Sequence, residues 1–427
     1  MKNRMTRRDF LGRTAAAAVA GPFVVRGSAL GANGKTAPSD RINIAAIGMG
    51  GRGRQVLGHF LDQSDVQCVA ICDCFEGRRV AGKRMVDDRH GNTDCATYRF
   101  HEEVFGRDDI DAVVIATGDR WHAVLSVLSS KAGKDVYCEK PSCLTIREGR
   151  ALVDAMKEHE TVWQCGTQRR SNNSYRFVAE AVQSGKIGNL HTITTLLGRG
   201  FTRNGVEKPD DAPAPEVFDY DRWMGQAPLA PYSEVRVKMW RQHWTTGAGL
   251  IGDMGPHFFD TAQWAHNSEM DGPSTFEGKA VWPPQDMFAQ TPYDFNLVAQ
   301  YKDGVKLIIQ KGDKGLRFEG DEGWIHITDG GALSAEPQSI LTERKIDEQS
   351  WRFMDGHIRN FLDCVRSRGL TASHPELAQR NHTICHCANI CLQLGRRVEF
   401  DPMSERFVND DEANSMLGRT MRAPWRI

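Results

Sequence analysis

Arg41-Ile42-Asn43-Ile44-Ala45-Ala46-Ile47-Gly48-Met49-Gly50-Gly51-Arg52-Gly53 carries a run of apolar residues straight into a cluster of glycines. The run Ile42–Ile47 reads as a buried strand, and residues 54–61 read as a helix. Gly48, Gly50 and Gly53 have the spacing Gly-x-Gly-x-x-Gly between the two. The first glycine suits a tight turn, the second lets a pyrophosphate approach the backbone, and the third lets helix pack on strand. The helix N-terminus then offers free N–H groups and the positive end of a dipole to phosphates; Gly51 and Arg52 stand in the same loop. A second strand, 66–72, runs into Asp73, 20 residues after Gly53. An acid there can bind both hydroxyls of an adenosine ribose and repels a 2′-phosphate, which favours NAD. Arg78 and Arg79 nearby keep NADP open.

Outward from this unit the alternation continues. Residues 110–116, 134–138 and 161–166 have strand character, and 121–130 and 145–159 have helix character. That order predicts an α/β fold with a parallel, doubly wound Rossmann sheet. Ligands of such sheets sit beyond the carboxyl ends of the strands. Those ends carry Thr117 and His122, Glu139-Lys140-Pro141, and Gln168-Arg169-Arg170. Lys140 in a partly desolvated cleft could donate to a substrate oxygen; the bland alternative is a surface salt bridge before a turn.

From residue 172 the pattern changes. A helix at 175–184 is followed by strand-like runs at 190–197, 293–301, 305–310, 316–319 and 324–328, separated by turns such as Asp303-Gly304 and Gly312-Asp313. This predicts a second, α+β domain on a mainly antiparallel sheet. The segment 208–231, rich in Pro and Asp, reads as a long surface loop. The division is 1–34, 35–168 and 169–427. In the second domain, 247–260 opens on glycines and turns helical, with Pro256 suited to a first helical turn. Asp253 and His257, four apart, could share a face, with the imidazole as general base and the carboxylate orienting it. A capping Asp and a core His is the plainer alternative.

In this order, Gly48-x-Gly50-x-x-Gly53, Asp73, Ala116-Thr117 with His122, Glu139-Lys140-Pro141 and Gly249-x-x-x-Asp253-x-Gly255-x-His257 resemble the glucose–fructose oxidoreductase, inositol dehydrogenase and rhizopine-catabolism family, Gfo/Idh/MocA. The resemblance runs from Arg41 to the C-terminus. It implies an NAD(P)-dependent oxidoreductase of sugars, cyclitols or related polyols. It also implies an open C-terminal sheet that often forms a homo-oligomer interface, here in a dimer or tetramer. Lys140 is then the catalytic lysine, with Asp253 and His257 completing the group. Gly48, Gly50, Gly51, Arg52, Gly53, Asp73, Thr117, His122, Glu139, Lys140 and Gln168 are the expected cofactor contacts. Arg169, Arg170, Trp240, Arg241 and Trp244 are candidates for the carbohydrate pocket, through stacking and guanidinium donors; each is as well explained by a core Trp or a surface Arg.

The N-terminus carries a different signal. Thr6-Arg7-Arg8-Asp9-Phe10-Leu11 precedes a mild apolar stretch, 14–25, too short to span a bilayer. It resembles a twin-arginine export signal, which implies the twin-arginine machinery as a partner and a periplasmic or otherwise exported protein. Where free NAD is scarce a net dehydrogenase stalls. A tightly held cofactor recycled between two sugars would avoid this, as would a redox-neutral elimination or epimerisation. Certain exported glycosidases related to the family use the second route; their pattern lacks the lysine found here at Lys140. A non-catalytic sugar or NAD sensor would be expected to lack Lys140, Asp253 or His257.

Composition bounds the rest. The 427 residues carry 54 Lys+Arg and 55 Asp+Glu, which gives nucleic-acid binding no support. No run of 18 apolar residues is present, so stable membrane insertion is not expected. The 11 cysteines are too sparse for a disulfide scaffold. His382, His386, Cys387 and Cys391 have a metal-like spacing, but they fall in an apolar helix with no partner group, so no metal is expected. Residues 1–29 hold six basic residues and one acid, so without them the net charge moves from −1 to −6.

Overall fold

The computed structural model describes residues 36–200, 212–342 and 353–427. The export-signal segment 1–34 and residues 208–211 of the expected loop lie outside them. The described part of the N-terminal unit that ends at Arg41 holds one 3-10 turn, Pro38–Asp40. Residues Ile42–Ile427 form a second compact unit.

That unit contains two sheets. The first is parallel, built from β1 (Ile42–Ile47), β2 (Val66–Cys72), β3 (Ala96–Tyr98), β4 (Ala112–Ile115), β5 (Asp135–Cys138) and β6 (Trp163–Cys165), in the order β3-β2-β1-β4-β5-β6. The order reverses between β1 and β4, the crevice where such sheets bind ligands. The connecting helices are α1 (Gly51–Leu61), α2 (Glu76–His90), α3 (His122–Lys131) and α4 (Ile146–Glu158). β1, β4 and β5 are buried on both faces, which explains why they read as unbroken apolar runs.

The second sheet joins β7 (Leu190–Gly198), β8 (Thr275–Val281), β9 (Asp294–Gln300), β10 (Lys306–Gln310), β11 (Gly312–Gly320), β12 (Gly323–Thr328), β13 (Leu333–Glu336), β14 (Val398–Asp401) and β15 (Arg406–Phe407). Its order is β13-β12-β11-β7-β10-β9-β8-β14-β15, antiparallel except for β7 beside β10. One face packs on α5 (Asn173–Gln183), α6 (Gly249–Ala265) and α8 (Pro375–Leu394). The alternation of β9 places Phe295, Leu297 and Ala299 in this core and Asp294, Asn296 and Val298 on the open face.

Three expectations need correction. Gly312-Asp313 is not a turn between strands. It opens β11, whose register slips between Gly312 and Gly315, so the chain stays paired through a bulge. Pro256 is not in a first turn but inside α6, where the helix runs on past it and its carbonyl accepts from Asn381 Nδ2 at 2.7 Å. The described part of 208–231 is not simply a surface loop. Phe218, Tyr220, Trp223 and Met224 are buried in an aromatic cluster.

α7 (Phe353–Ser367) belongs to the first sheet although it lies late in the chain. Met354, Ile358, Phe361 and Leu362 pack with Ile42, Ile44, Phe60 and Tyr137, and Phe361 meets the Phe60 ring edge-on at 6.1 Å.

Candidate active site

The glycine loop is shaped by close approach. Gly48 has φ +92°, and a Cβ there would stand 2.7 Å from the Ala116 carbonyl oxygen. A Cβ on Gly53 would stand 1.9 Å from the Gly48 carbonyl oxygen. Neither site can take another residue. A Cβ on Gly51 would meet nothing and one on Gly50 only the Arg78 guanidinium at 3.9 Å, and no side chain caps the helix that starts at Gly51. Asp73 ends β2 and accepts from Met49 N at 2.7 Å and Phe75 N at 2.9 Å, so it also holds the loop's shape. Open glycines, bare N–H groups and a strand-end acid fit a dinucleotide's pyrophosphate and ribose. Gly48, Gly50, Gly51, Arg52, Asp73 and Thr117 line the cleft.

At the end of β5, Glu139 is buried and does not line the cleft. It ion-pairs with Arg52 at 2.8 Å, and Arg52 does line it. Burial pulls the Arg52 guanidinium down, but Glu139 outweighs it and the net shift is upward. Gln168, with its amide turned to satisfy both neighbours, accepts from Arg52 Nη2 at 3.3 Å.

Lys140 reaches across to α6 of the second domain. Its Nζ donates to Asp253 Oδ1 at 2.8 Å and to the Asp253 carbonyl at 2.6 Å. Arg241 Nε adds a contact to Oδ1 at 3.3 Å. Burial pushes the Asp253 carboxyl up; Lys140 and Arg241 overcome this and hold it below the ordinary range. Asp253 therefore serves Lys140. Among the described residues no hydrogen bond joins it to His257, so the expected Asp253–His257 pair is not formed. The shared helical spacing is real, but two cations already claim the carboxylate. His257 is buried, its Nδ1 has no partner, and burial, then Arg169 and Lys140, push its pKa well below ordinary. It is neutral at pH 7.

His122 lies beneath the cleft rather than in it. Its Nδ1 meets the Pro141 carbonyl at 2.6 Å, and burial pushes it down to about 4. Ser142 N donates to His382 Nε2 at 3.1 Å. Two histidines from different helices thus pin the turn that carries Lys140.

Of the pocket candidates, Trp240 and Arg241 line the cleft, and Arg241 lies 4.2 Å over the Trp240 ring. Arg169 pairs with Asp329 and lies 4.1 Å over Phe258. Arg170 is drawn into an ion-pair cluster, held by Asp260 at 2.6 Å and Glu269 at 2.7 Å, and does not line the cleft. Trp244 faces Trp282 outside the cleft lining. The lining also includes residues that were not site candidates, among them Arg99, His101, Arg120, Trp121, Arg222 and Trp223. Arg120 and Trp121 lie between Thr117 and His122 at the end of β4, a strand end where the fold keeps its chemistry, whereas Arg222 and Trp223 lie in the Pro-rich stretch. Asp119 lies in the same strand-end segment and had no assigned role. It is buried with Oδ2 unpartnered; burial pushes its carboxyl up to about 7, against Arg241 and Lys140.

Comparison with known proteins agrees with this geometry. Residues 42–167 match the model of the oxidoreductase family's NAD-binding Rossmann fold, and 172–427 match its C-terminal alpha/beta domain. A myo-inositol 2-dehydrogenase of Thermotoga maritima is 25% identical over 54% of this chain and 56% of its own length. A glycosyl hydrolase family 109 protein of Solibacter usitatus is 32% identical over 27% of this chain and 28% of its own. The aligned stretches thus span about half or less of these relatives. The solved myo-inositol 2-dehydrogenase of Lactobacillus plantarum has the same fold, with TM-score 0.61 at 18% identity over 84% of this chain and 99% of that one. The chain belongs to the Gfo/Idh/MocA oxidoreductase family, with a Rossmann half of the NAD-binding kind.

Proposed function

We propose that the protein is an exported NAD-dependent oxidoreductase that acts at a C–OH carbon of a sugar, cyclitol or related polyol and keeps its cofactor. The observation that carries this is Lys140, held by Asp253 from the facing domain beside a cleft whose glycine loop suits a dinucleotide. NAD, when bound, supplies the hydride acceptor. Lys140 donates to the substrate oxygen and holds it as charge develops. Asp253 stays ionised and fixes the ammonium. His257, neutral and unpartnered at Nδ1, accepts the hydroxyl proton. Trp240 and Arg241 form the wall nearest this group. Inositol dehydrogenases among the relatives support the substrate class, and Arg7-Arg8 followed by Phe10-Leu11 supports export. Assembly into dimers or tetramers through the open sheet face belongs to the same proposal.

The glycosyl hydrolase relative supports a second, redox-neutral reading, in which oxidation is transient and a glycoside is cleaved or epimerised. One assay separates the two. The purified exported form is denatured and its released nicotinamide measured; free sugars and aryl glycosides are then assayed with no added cofactor. Two-sugar turnover supports the first reading. Aryl glycoside cleavage favours the second. Protein that works only with external NAD overturns the retained cofactor.

A further inference from the structure

The cleft has a second wall that the Rossmann fold does not supply. Residues 212–240 leave the second domain and fasten to the first on the side of Asp73. Glu76 N donates to the Val217 carbonyl and Asp219 N to the Cys74 carbonyl, both at 3.0 Å. Phe218 packs edge-on to Phe75 at 5.6 Å. Arg99 pairs with Asp219, and Arg222 with Glu102, each at 2.8 Å. Trp121 Nε1 donates to the Arg222 carbonyl at 3.0 Å.

At the centre stands Arg120, 1% exposed. Its guanidinium lies 3.9 Å over the Trp223 ring, and Nε donates to the Trp223 carbonyl at 2.7 Å, joined by Nη2. Nη1 is buried and has no partner, although Arg120 lines the same cleft as Gly50 and Gly51. No carboxylate ion-pairs with it among the described residues, and burial pushes it down to about 10. The Asp119 charge offsets this only in part, and a buried guanidinium with an unpaired N–H is costly unless an anion completes it.

We propose that Arg120 takes a phosphate of the dinucleotide through Nη1, and that the strap 212–240, gripping Arg120 through Trp223, locks the cofactor in place. This rests on the retained-cofactor part of the proposed function. The anion is a pyrophosphate oxygen if NAD and NADP are held alike, and the 2′-phosphate if only NADP responds. Opening the adenosine side requires the strap to leave both Arg120 and the Phe75–Phe218 contact.

Protein loaded with NAD is diluted and nucleotide release timed for the native chain, Arg120→Met, Arg120→Lys and Phe218→Ala, at a temperature where circular dichroism shows each folded. Binding of ADP-ribose, NADP and adenosine is measured by calorimetry. Loss of one charge-assisted hydrogen bond should speed NAD release and weaken ADP-ribose about 10- to 100-fold in Arg120→Met, with adenosine unchanged and partial recovery in Arg120→Lys. An effect confined to NADP assigns Nη1 to the 2′-phosphate. Phe218→Ala should speed release without altering the preference for ADP-ribose over adenosine. Should Arg120→Met not fold, Arg120→Lys against Phe218→Ala carries the test. Native release rates in both variants, or equal weakening of adenosine and ADP-ribose, overturn the proposal. A native chain that turns over no sugar, while Arg120→Met and Phe218→Ala still release NAD faster than it does, would instead sink the proposed substrate class and leave the strap standing.

Discussion

Acid should unfold this protein well before its carboxylates are titrated. His122, His357, His382 and His386 are buried, and burial is the main cause that pushes the first three down to about 4 and His386 to about 3, from 6.5. A histidine whose folded pKa is depressed takes its proton first in the unfolded chain. Stability is therefore full above 6.5 and is lost as pH falls toward 4. At pH 5 an ordinary histidine is almost fully protonated and one with pKa 4 about one-tenth so. Moving from pH 7 to pH 5 thus costs about 2 kcal/mol for each group, or about 7 kcal/mol for four. Asp119 works the other way. Raised to about 7, it gains its proton in the fold over the same interval and returns about 2 kcal/mol. Carboxyls held below their ordinary range, such as Asp253 and Glu376, act below this window. The net loss of about 5 kcal/mol is comparable to the whole stability of many domains, roughly 5–15 kcal/mol. Urea unfolding at pH 7, 6 and 5 reads this directly. His386→Gln should flatten the dependence by about 1 kcal/mol per pH unit over this interval, the share of one histidine. A midpoint unchanged between pH 7 and 5, or a slope indifferent to His386, would refute the claim that the fold keeps these imidazoles neutral.

Gly53→Ala should abolish NAD binding by calorimetry, because its Cβ would fall 1.9 Å from the Gly48 carbonyl, whereas Gly51→Ala, facing open space, should retain the fold. Asp253→Asn removes the charge that holds Lys140 at 2.8 Å and should lower kcat about 100-fold, with little change in NAD affinity. Arg170→Met strands Asp260 and Glu269 and should cost about 3–5 kcal/mol in urea melts. Arg7→Lys with Arg8→Lys should leave the chain in the cytoplasmic fraction; export at the usual level would remove the twin-arginine reading.

Much of the first sheet is legible because parallel strands buried on both faces advertise themselves as apolar runs, the first of them ending in a glycine loop. Asp73 and Lys140 could be placed because strand ends are where such sheets keep their chemistry. The second domain was harder. β8 and β13 mix buried with exposed polar residues, and β11 starts on a glycine pair that looks like a turn. Lys140 and Asp253 are 113 residues apart, and no local pattern says that they meet. Helical spacing suggested Asp253 with His257, but spacing does not reveal which cation captures a carboxylate. Arg120 and Arg170 look alike in sequence. Only packing shows that Arg170 is paired with two acids and that Arg120 has a bare nitrogen.

The position of α7 has a consequence for synthesis. Phe361 and its neighbours fill one side of the first sheet, although almost 190 residues separate them from β6. A ribosome that has finished the Rossmann strands has therefore not finished the Rossmann core. The half-made domain must wait, with Ile44, Phe60 and Tyr137 uncovered on that face, until nearly the whole chain has emerged. An N-terminal half excised without α7 would lack the side chains that close this part of its core.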